Sequence, residues 1–400
     1  MRIAMFTNNY KPYIGGVPIS IEHLAKALRE RGHTVYIFAP TYREQEEEEF
    51  VIRYPSLPIS IAKAPAPNVF TGILEQKVKE LGIDVIHVHH PAMVGNVALH
   101  LKKKYGIPVI FTYHTRYEQY LHYIKPLEYV EKRTGVVEKY LEYFCRQCDL
   151  IIAPTPGIQN YLQKKDLGVP VQVMPTGIPD ECFEPDINRV VELRKKYAAD
   201  YLFCTVSRLA KEKNLMFQLE GIARLKKKLD ARGKTFRHMI IGDGPIRKEL
   251  EERARQLGIR QNLAFIGNVP NTEIANYQAA ADLFLFTSKS ETQGIVILEA
   301  MAVGNPVVAL DATGVRDVVS YGKNGFLCEE YDADDLENAD SWAEHIVTIL
   351  QHPLLYEKMS QAARRTAKEY SESEVAKQAE NYYGQICHDI SQWPQVYGII

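Results

Sequence analysis

The chain has 400 residues, of which 46% are hydrophobic and 24% are charged, and its formal net charge is −2. A chain of this length can bury a large core and is too long for one ordinary domain, so two domains are expected. The near-neutral charge excludes partners held mainly by bulk electrostatic attraction, and we therefore expect no nucleic acid partner.

The opening stretch MRIAMFTNNY predicts a strand and does not resemble a cleavable leader. The six cysteines are too sparse for a disulfide scaffold, which indicates a reducing, cytoplasmic setting. Cys145 and Cys148 form a single C-x-x-C pair within a helical pattern, which favours structural cysteines over redox or metal chemistry. No run of 18 apolar residues occurs, so no membrane-spanning segment is expected.

Short β-rich apolar segments alternate with longer helical patterns, which is typical of parallel sheets covered by helices on both faces. In the first half the predicted strands are RIAMFTN, TVYIFAP, VIHVHH, PVIFTYH, LIIAPT and VQVMPTG. In the second half they are YLFCTVSR, HMIIGDG, LAFIGNV, LFLFTS, PVVALDA and GFLCEE. Two sets of about six strands predict an α/β protein with two doubly wound, Rossmann-like domains.

The stretch GIPDECFEPDINRVVELRKKY, with two prolines and clustered acids, predicts a linker between the two domains. We place the N-terminal domain at residues 1–180 and the C-terminal domain at 181–373. The chain ends in a helical pattern that begins SESEVAKQ, in the manner of a capping box. Because no strand follows this pattern, we expect residues 374–400 to pack back on the first domain.

In open α/β sheets, ligands bind beyond the carboxyl ends of the strands, so polar residues that follow strands are the first candidates. Gly15 and Gly16 follow the first strand and open a helix, which fits either a site for an anion or sugar, or a plain turn. The turn lacks the spaced third glycine of a dinucleotide site. Gly242 and Gly244 follow a later strand, where a tight structural turn is the favoured interpretation.

In the stretch TVSRLAKEKNL, Arg208 and Lys213 follow a strand and precede a helix, so two cations are expected at the ligand-binding edge of the second sheet. A guanidinium and an ammonium together suit a diphosphate, although a lone lysine there would be ordinary surface charge.

The stretch SETQGIVILEA places an acid on each side of a predicted helix start, Glu291 before it and Glu299 within it. The N–H groups at Gly294 and Ile295 are suited to a phosphate. Glu299 lies roughly 7 to 8 Å along the helix axis, so the acids can bind groups on either side of a diphosphate. A nucleoside diphosphate sugar has this layout. The alternatives are a helix cap for Glu291 and a surface position for Glu299, although an unpaired buried carboxylate there would be costly.

This combination of a Gly15-Gly16 turn, Arg208, Lys213, Glu291 and Glu299 resembles the retaining glycosyltransferases of the GT-B fold, in their large fourth family. The resemblance extends over nearly the whole chain and implies two domains facing a central cleft. It also implies that the two cations hold the donor diphosphate, that Glu291 contacts the transferred sugar and that Glu299 contacts the ribose.

Further roles follow from the same resemblance. A histidine close to the sugar is expected after a first-domain strand, and FTYHTRY supplies it as His114. The alternative interpretation of His114 is a structural histidine. The forms SETQG, where many members have SEGFG, and YHTRYEQYLHY resemble the bacterial diacylglycerol glucosyltransferases. This branch implies transfer of glucose from UDP-glucose to diacylglycerol. The alternatives are another nucleotide sugar with a soluble, polyprenol or inositol-lipid acceptor, a binding protein without transfer, or an epimerase.

Retention without an evident carboxylate nucleophile implies front-side displacement, so we expect no cofactor and no essential metal. The motif Asp332-Ala333-Asp334 could bind manganese in a different glycosyltransferase fold, but here it opens a helical pattern and is interpreted as a cap.

A lipid acceptor implies contact with a membrane surface. Residues 99–148 contain nine Lys or Arg and five Glu, a net charge of +4, interleaved with aromatic residues. Such a surface suits anionic headgroups, and Tyr117, Tyr120 and Lys125 are its expected membrane- or acceptor-facing residues. Tyrosines at this spacing also occur in cores. We expect a peripheral protein on the inner face of the cell membrane.

Overall fold

The computed structural model describes residues 1–13, 15–61, 64–114, 135–289, 291, 293–329 and 336–391. The chain divides into two compact units. The first unit combines Met1–Gly177 with Glu372–Ile400, and the second is Ile178–Ser371. Each unit is built around a parallel sheet, which confirms the predicted fold class.

The first unit contains a parallel sheet and a small antiparallel hairpin. The sheet strands are β1 (Arg2–Phe6), β2 (Thr34–Pro40), β3 (Val51–Tyr54), β6 (Val85–Val88), β7 (Val109–Thr112), β8 (Leu150–Ala153) and β9 (Val171–Val173). The hairpin consists of β4 (Ser56–Ile61) and β5 (Ala64–Pro67). The sheet order is β3-β2-β1-β6-β7-β8-β9, so the direction of winding reverses between β1 and β6.

Both faces of this sheet are buried. Along β1, Ile3 and Met5 belong to one apolar cluster, whereas Ala4 and Phe6 belong to another, because successive side chains point to opposite faces. The helices of the unit are Gly16–Glu30, Ile73–Leu81, Val94–Tyr105, Val136–Cys145, Pro156–Gln163 and Glu372–Ser391. Cys145 and Cys148 are buried in the second of these clusters, where burial raises the pKa of the Cys145 thiol to about 12.

The second unit repeats this design with six parallel strands. They are β10 (Tyr201–Val206), β11 (Phe236–Ile241), β12 (Leu263–Gly267), β13 (Leu283–Phe286), β14 (Val307–Leu310) and β15 (Gly325–Cys328). Their order is β12-β11-β10-β13-β14-β15, with the reversal between β10 and β13. The helices are Ile187–Lys196, Leu215–Asp230, Arg247–Gln256, Asn271–Ala280, Ile295–Ala302, Leu336–Gln351 and Pro353–Glu369.

The final helix, Glu372–Ser391, is part of the first unit although it follows the second in sequence. Its residues Val375, Ala379 and Tyr383 are buried in the same cluster as Ile21 of the helix Gly16–Glu30. The Gln378 amide donates a hydrogen bond of 2.8 Å to the carbonyl of Val173 at the edge of the sheet. No helix within the described ranges has the length and apolar character needed to cross a bilayer.

A half-buried ion pair joins the two helices where the chain re-enters the first unit. His23 Nδ1 lies 3.0 Å from Glu372 Oε1. Burial alone lowers the pKa of His23, but the hydrogen bond and charge of Glu372 outweigh it, so this pKa is raised. Because the pKa of His23 is higher in the folded than in the unfolded protein, protonated His23 contributes its full stabilisation when the pH is below the ordinary pKa of 6.5. This contribution is lost as the pH rises through the pKa of the folded protein.

We therefore expect His23→Gln to destabilise the protein by about 1 kcal/mol at pH 6 and by much less at pH 9. Thermal unfolding of the wild type and the variant at both pH values measures this difference. His352→Gln, at an exposed histidine, is the control and should have no such effect. An equal loss for His23→Gln at the two pH values would contradict the assigned role of the ion pair.

Candidate functional site

The reversal of strand order in the second unit brings together the two loops that contain most of the predicted site residues. Beyond the carboxyl ends of neighbouring strands that wind in opposite directions, the loops separate and leave a crevice. The loop after β10 contains Arg208 and Lys213, and the loop after β13 contains Glu291 and Gly294. The crevice between β10 and β13 is therefore the candidate site of this unit.

Lys213 and Glu291 form an ion pair across this crevice. Lys213 Nζ lies 2.6 Å from Glu291 Oε1, and their side chains are 21% and 18% exposed. Thr287 Oγ1 donates a hydrogen bond of 3.1 Å to the carbonyl of Lys213, which links the two loops a second time. Both side chains are partly withdrawn from water, so solvent screens their attraction less than it screens a fully exposed ion pair.

Arg208 lies in the same loop and is exposed. Its guanidinium forms no ion pair with any residue that the structure describes. The loop backbone is held by the hydrogen bond from Leu209 N to Asp243 O, at 3.0 Å. The crevice therefore has a second cation whose five N–H donors are available to an anionic ligand.

The helix Ile295–Ala302 begins beside this pair. Gly294 precedes it with φ of 68°, and no side chain caps the helix. Its first N–H groups therefore lack the partners that a capping side chain provides. Glu299 lies half-buried in the second turn of the helix. Glu291 thus precedes the start of this helix, and Glu299 lies within the helix.

Three further polar atoms at this edge were not identified from the sequence. Ser207 Oγ and Asn214 Nδ2 follow β10, and Ser288 Oγ follows β13. All three atoms are buried and have no hydrogen-bond partner among the residues that the structure describes. Buried polar atoms are nearly always paired, so these three atoms are candidates for contact with a bound polar group. Ser207 and Ser288 lie at the carboxyl ends of the predicted strands YLFCTVSR and LFLFTS, and this position was the signal that could have identified them.

Gly242 and Gly244 permit a close backbone contact with the Arg208 loop. A Cβ atom at Gly242 would lie 2.0 Å from the carbonyl oxygen of Ser207, and one at Gly244 would lie 2.3 Å from that of Leu209. Gly242 also has φ of 117°. These two glycines therefore determine where the loop that contains Arg208 can lie.

The first unit has an analogous edge at its own reversal between β1 and β6. Asn8 and Asn9 follow β1, and each has a buried side-chain oxygen without a hydrogen-bond partner within the described part of the chain. His89 follows β6 and His114 follows β7. His89 Nδ1 lies 2.8 Å from His114 Nε2. The structure thus pairs the predicted His114 with a second histidine that the sequence analysis did not identify.

Both histidines are neutral at physiological pH. Burial, together with the nearby His90 and His87, lowers the pKa of His114 to about 3. Burial also lowers the pKa of His89 well below its ordinary value, with smaller contributions from the neighbouring histidines. His114 can therefore act as a neutral hydrogen-bonding group.

The backbone around Gly16 is open. Gly16 is the first residue of the helix Gly16–Glu30, which has no side-chain cap, and a Cβ atom there would meet nothing within 4 Å. The predicted residues Tyr117, Tyr120 and Lys125 lie outside the described residues, as does the Asp332-Ala333-Asp334 motif. Among the described residues, no cluster of three or more His, Cys, Asp or Glu side chains could hold a metal ion.

Two family models match the chain, one for each half. The chain matches the family model described as Glycosyltransferase Family 4 over residues 14–181, and the model Glycosyl transferases group 1 over residues 186–366. It is 34% identical to an alpha-monoglucosyldiacylglycerol synthase of Streptococcus pneumoniae, over 85% of this chain and 77% of that protein. It is 28% identical to the synthase of the same name from Acholeplasma laidlawii, over 96% of each.

Among solved structures, Anabaena Alr3699/HepE in complex with UDP resembles the chain with a TM-score of 0.72. The two are 19% identical, and the match covers 96% of this chain and 100% of that one. At this identity the likeness shows the fold alone, which is the GT-B fold.

Proposed function

Because this chain belongs to glycosyltransferase family 4, we propose that it transfers glucose from UDP-glucose to diacylglycerol. The transfer retains the configuration at the anomeric carbon. The observation that carries the proposal is the Lys213–Glu291 pair beside the exposed Arg208 and the helix start at Gly294. This arrangement provides two cations for a diphosphate and a carboxylate for sugar hydroxyls at one edge of a sheet.

In the proposed donor complex, Arg208 and Lys213 bind the diphosphate together with the N–H groups at Gly294 and Ile295. Glu291 accepts hydrogen bonds from hydroxyls of the transferred glucose, and Glu299 accepts them from the ribose. Binding requires an exchange of partners. The diphosphate replaces Glu291 as the counterion of Lys213, and the released carboxylate turns to the sugar.

The proposed reaction is a front-side displacement. The bond between the anomeric carbon and the diphosphate oxygen breaks, and the acceptor oxygen forms its bond to the same carbon on the same face. The proton of the acceptor hydroxyl passes to the departing phosphate oxygen. Arg208 and Lys213 stabilise the negative charge that develops on the diphosphate, which is the main catalytic contribution.

The acceptor is proposed from two supports. The two relatives described above are both synthases of monoglucosyldiacylglycerol by name. The basic segment 99–148 has a net charge of +4, which favours attraction to anionic headgroups. We therefore propose that the protein acts peripherally at the inner face of the cell membrane, with Tyr117, Tyr120 and Lys125 near the lipid surface and Gly16 beside the substrate.

The test is a transfer assay with purified protein, radiolabelled UDP-glucose and vesicles that contain diacylglycerol. A labelled lipid with the mass of monoglucosyldiacylglycerol and an α linkage by NMR supports the proposal. Parallel reactions use GDP-mannose as donor, phosphatidylinositol or a soluble alcohol as acceptor, and neutral instead of anionic vesicles. Faster transfer from GDP-mannose would contradict the proposed donor, and faster transfer to phosphatidylinositol or a soluble alcohol would contradict the proposed acceptor. Equal rates on neutral and anionic vesicles would contradict the proposed attraction to anionic membranes.

We also expect the activity to survive chelation, because the two cations and the helix start neutralise the leaving diphosphate in this mechanism. The initial rate should change by less than about twofold in excess EDTA. The control is a dialysed sample to which magnesium or manganese is returned. Complete loss with EDTA and recovery with manganese would contradict a metal-independent reaction.

A further inference from the structure

Three histidines, His87, His89 and His114, form a row from the core of the first unit to its carboxyl sheet edge. His87 and His89 are buried, with 0% and 1% exposure. The ring centroids of His87 and His89 are 4.3 Å apart, and those of His89 and His114 are 5.1 Å apart and stacked. The row therefore connects the predicted active-site histidine to the interior of the fold.

The inner end of this row is held firmly. His87 Nδ1 lies 2.7 Å from the Tyr383 hydroxyl of the final helix, and His87 Nε2 lies 2.6 Å from the Thr112 hydroxyl at the end of β7. Both ring nitrogens of His87 are thus occupied, which fixes the ring. His89 packs against this ring, and its backbone N–H donates a hydrogen bond of 2.9 Å to Phe6 O.

The contact between His89 Nδ1 and His114 Nε2 can be made in two ways. Each neutral imidazole has one N–H and one bare nitrogen, so one of the two facing nitrogens donates and the other accepts. If His114 Nε2 donates, the proton of His89 is on its Nε2. If His89 Nδ1 donates, the proton of His114 is on its Nδ1.

The surroundings of His89 distinguish these two arrangements. His89 Nε2 is buried and has no hydrogen-bond partner among the described residues. The first arrangement leaves an unpaired N–H there, whereas the second leaves only an unpaired lone pair. Orphaned buried N–H groups are rarer in proteins than under-satisfied acceptors. The second arrangement is therefore favoured.

We propose that His89 is a positioning residue that holds His114 in the tautomer with its proton on Nδ1. His114 Nδ1 has no hydrogen-bond partner within the described part of the chain, so this N–H is available to a ligand. His114 then presents a donor, not a base, to a phosphate or hydroxyl oxygen of the bound substrate. The inference rests on the proposed function only for the identity of that substrate.

The tautomer can be measured directly and without substrate. Protein labelled with ¹⁵N in its histidine rings is compared with a His114→Gln sample, which assigns the two ring nitrogens of His114. At pH 7 we expect a protonated Nδ1 and a bare Nε2. A spectrum with the proton on Nε2 would overturn the proposal even in a fully active enzyme.

Two variants of His89 connect the tautomer to catalysis. His89→Asn places an amide N–H near the position of Nδ1 and should preserve the His114 tautomer, with kcat within about threefold of the wild type. His89→Leu removes the donor, so His114 should show averaged nitrogen shifts of both tautomers and kcat should fall about tenfold. His352→Leu, at an exposed position, should change neither quantity.

The outcomes separate this inference from the proposed function. If the Nδ1–H tautomer is found but no glucose transfer is detected, the proposed function fails and the positioning by His89 stands. If transfer is detected but His89→Leu leaves the His114 spectrum unchanged, the positioning role fails. Thermal unfolding of each variant shows whether it is folded. If His89→Leu does not fold, the wild-type spectrum and the His89→Asn variant still test the positioning role.

Discussion

Replacing Lys213 with alanine is expected to lower kcat/KM for the nucleotide sugar by about three orders of magnitude, or about 4 kcal/mol. The change removes a cation from the proposed leaving group. It also leaves the carboxylate of Glu291, which is only 18% exposed, without the ammonium that lies 2.6 Å away. Initial rates over a range of donor concentrations measure the loss, and we expect it mainly in kcat because the leaving-group charge grows in the transition state.

Lys211→Ala is the matched control for this experiment. Lys211 begins the same short 3-10 helix, Lys211–Lys213, and its side chain is exposed. We expect its activity to equal that of the wild type within about twofold, since exposed charges away from the ligand contribute little. The double variant Lys213→Ala, Glu291→Gln separates the two effects, because it removes the unpaired carboxylate as well. Rates for Lys213→Ala close to those of Lys211→Ala would refute the proposed diphosphate site.

Replacing Gly242 with alanine is expected to destabilise the second unit by about 3–5 kcal/mol, from a positive φ and a steric clash together. Its Cβ atom would lie 2.0 Å from the carbonyl oxygen of Ser207, so the loop that contains Arg208 must move. For a unit of this size the thermal midpoint should fall by about 10 °C. Calorimetry measures the thermal midpoint. At temperatures below this midpoint, the transfer assay should show a reduced rate, because Arg208 is displaced.

Gly258→Ala isolates the steric part of this effect. Gly258 has φ of 69°, and a Cβ atom there would meet no atom within 4 Å. It therefore carries only the cost of a left-handed conformation, about 1–2 kcal/mol, and should not change the activity of the folded enzyme. Equal midpoints for the two variants would show that the close approach at Gly242 contributes nothing.

The sequence was sufficient for most of the secondary structure, because apolar spacing and turn residues act locally. All twelve predicted strands are present, from β1 (Arg2–Phe6) to β15 (Gly325–Cys328). The strand Val51–Tyr54 and the hairpin Ser56–Pro67 were missed. Val51–Tyr54 is only four residues long and lies one residue after a run of glutamates, and the hairpin contains several prolines, so neither segment shows the long apolar pattern that identifies a buried strand.

The sequence by itself also determined that Arg208, Lys213 and Glu291 follow strands and that Glu299 lies inside a helix, because these positions depend only on neighbouring residues. Only the tertiary structure decided which of these side chains meet. The 2.6 Å contact between Lys213 and Glu291 joins residues 78 positions apart, and it exists because β13 lies beside β10 in the sheet. In the same way His89 meets His114 because β6 pairs with β7. Strand order results from long-range packing of whole layers, and no local pattern of residues specifies it.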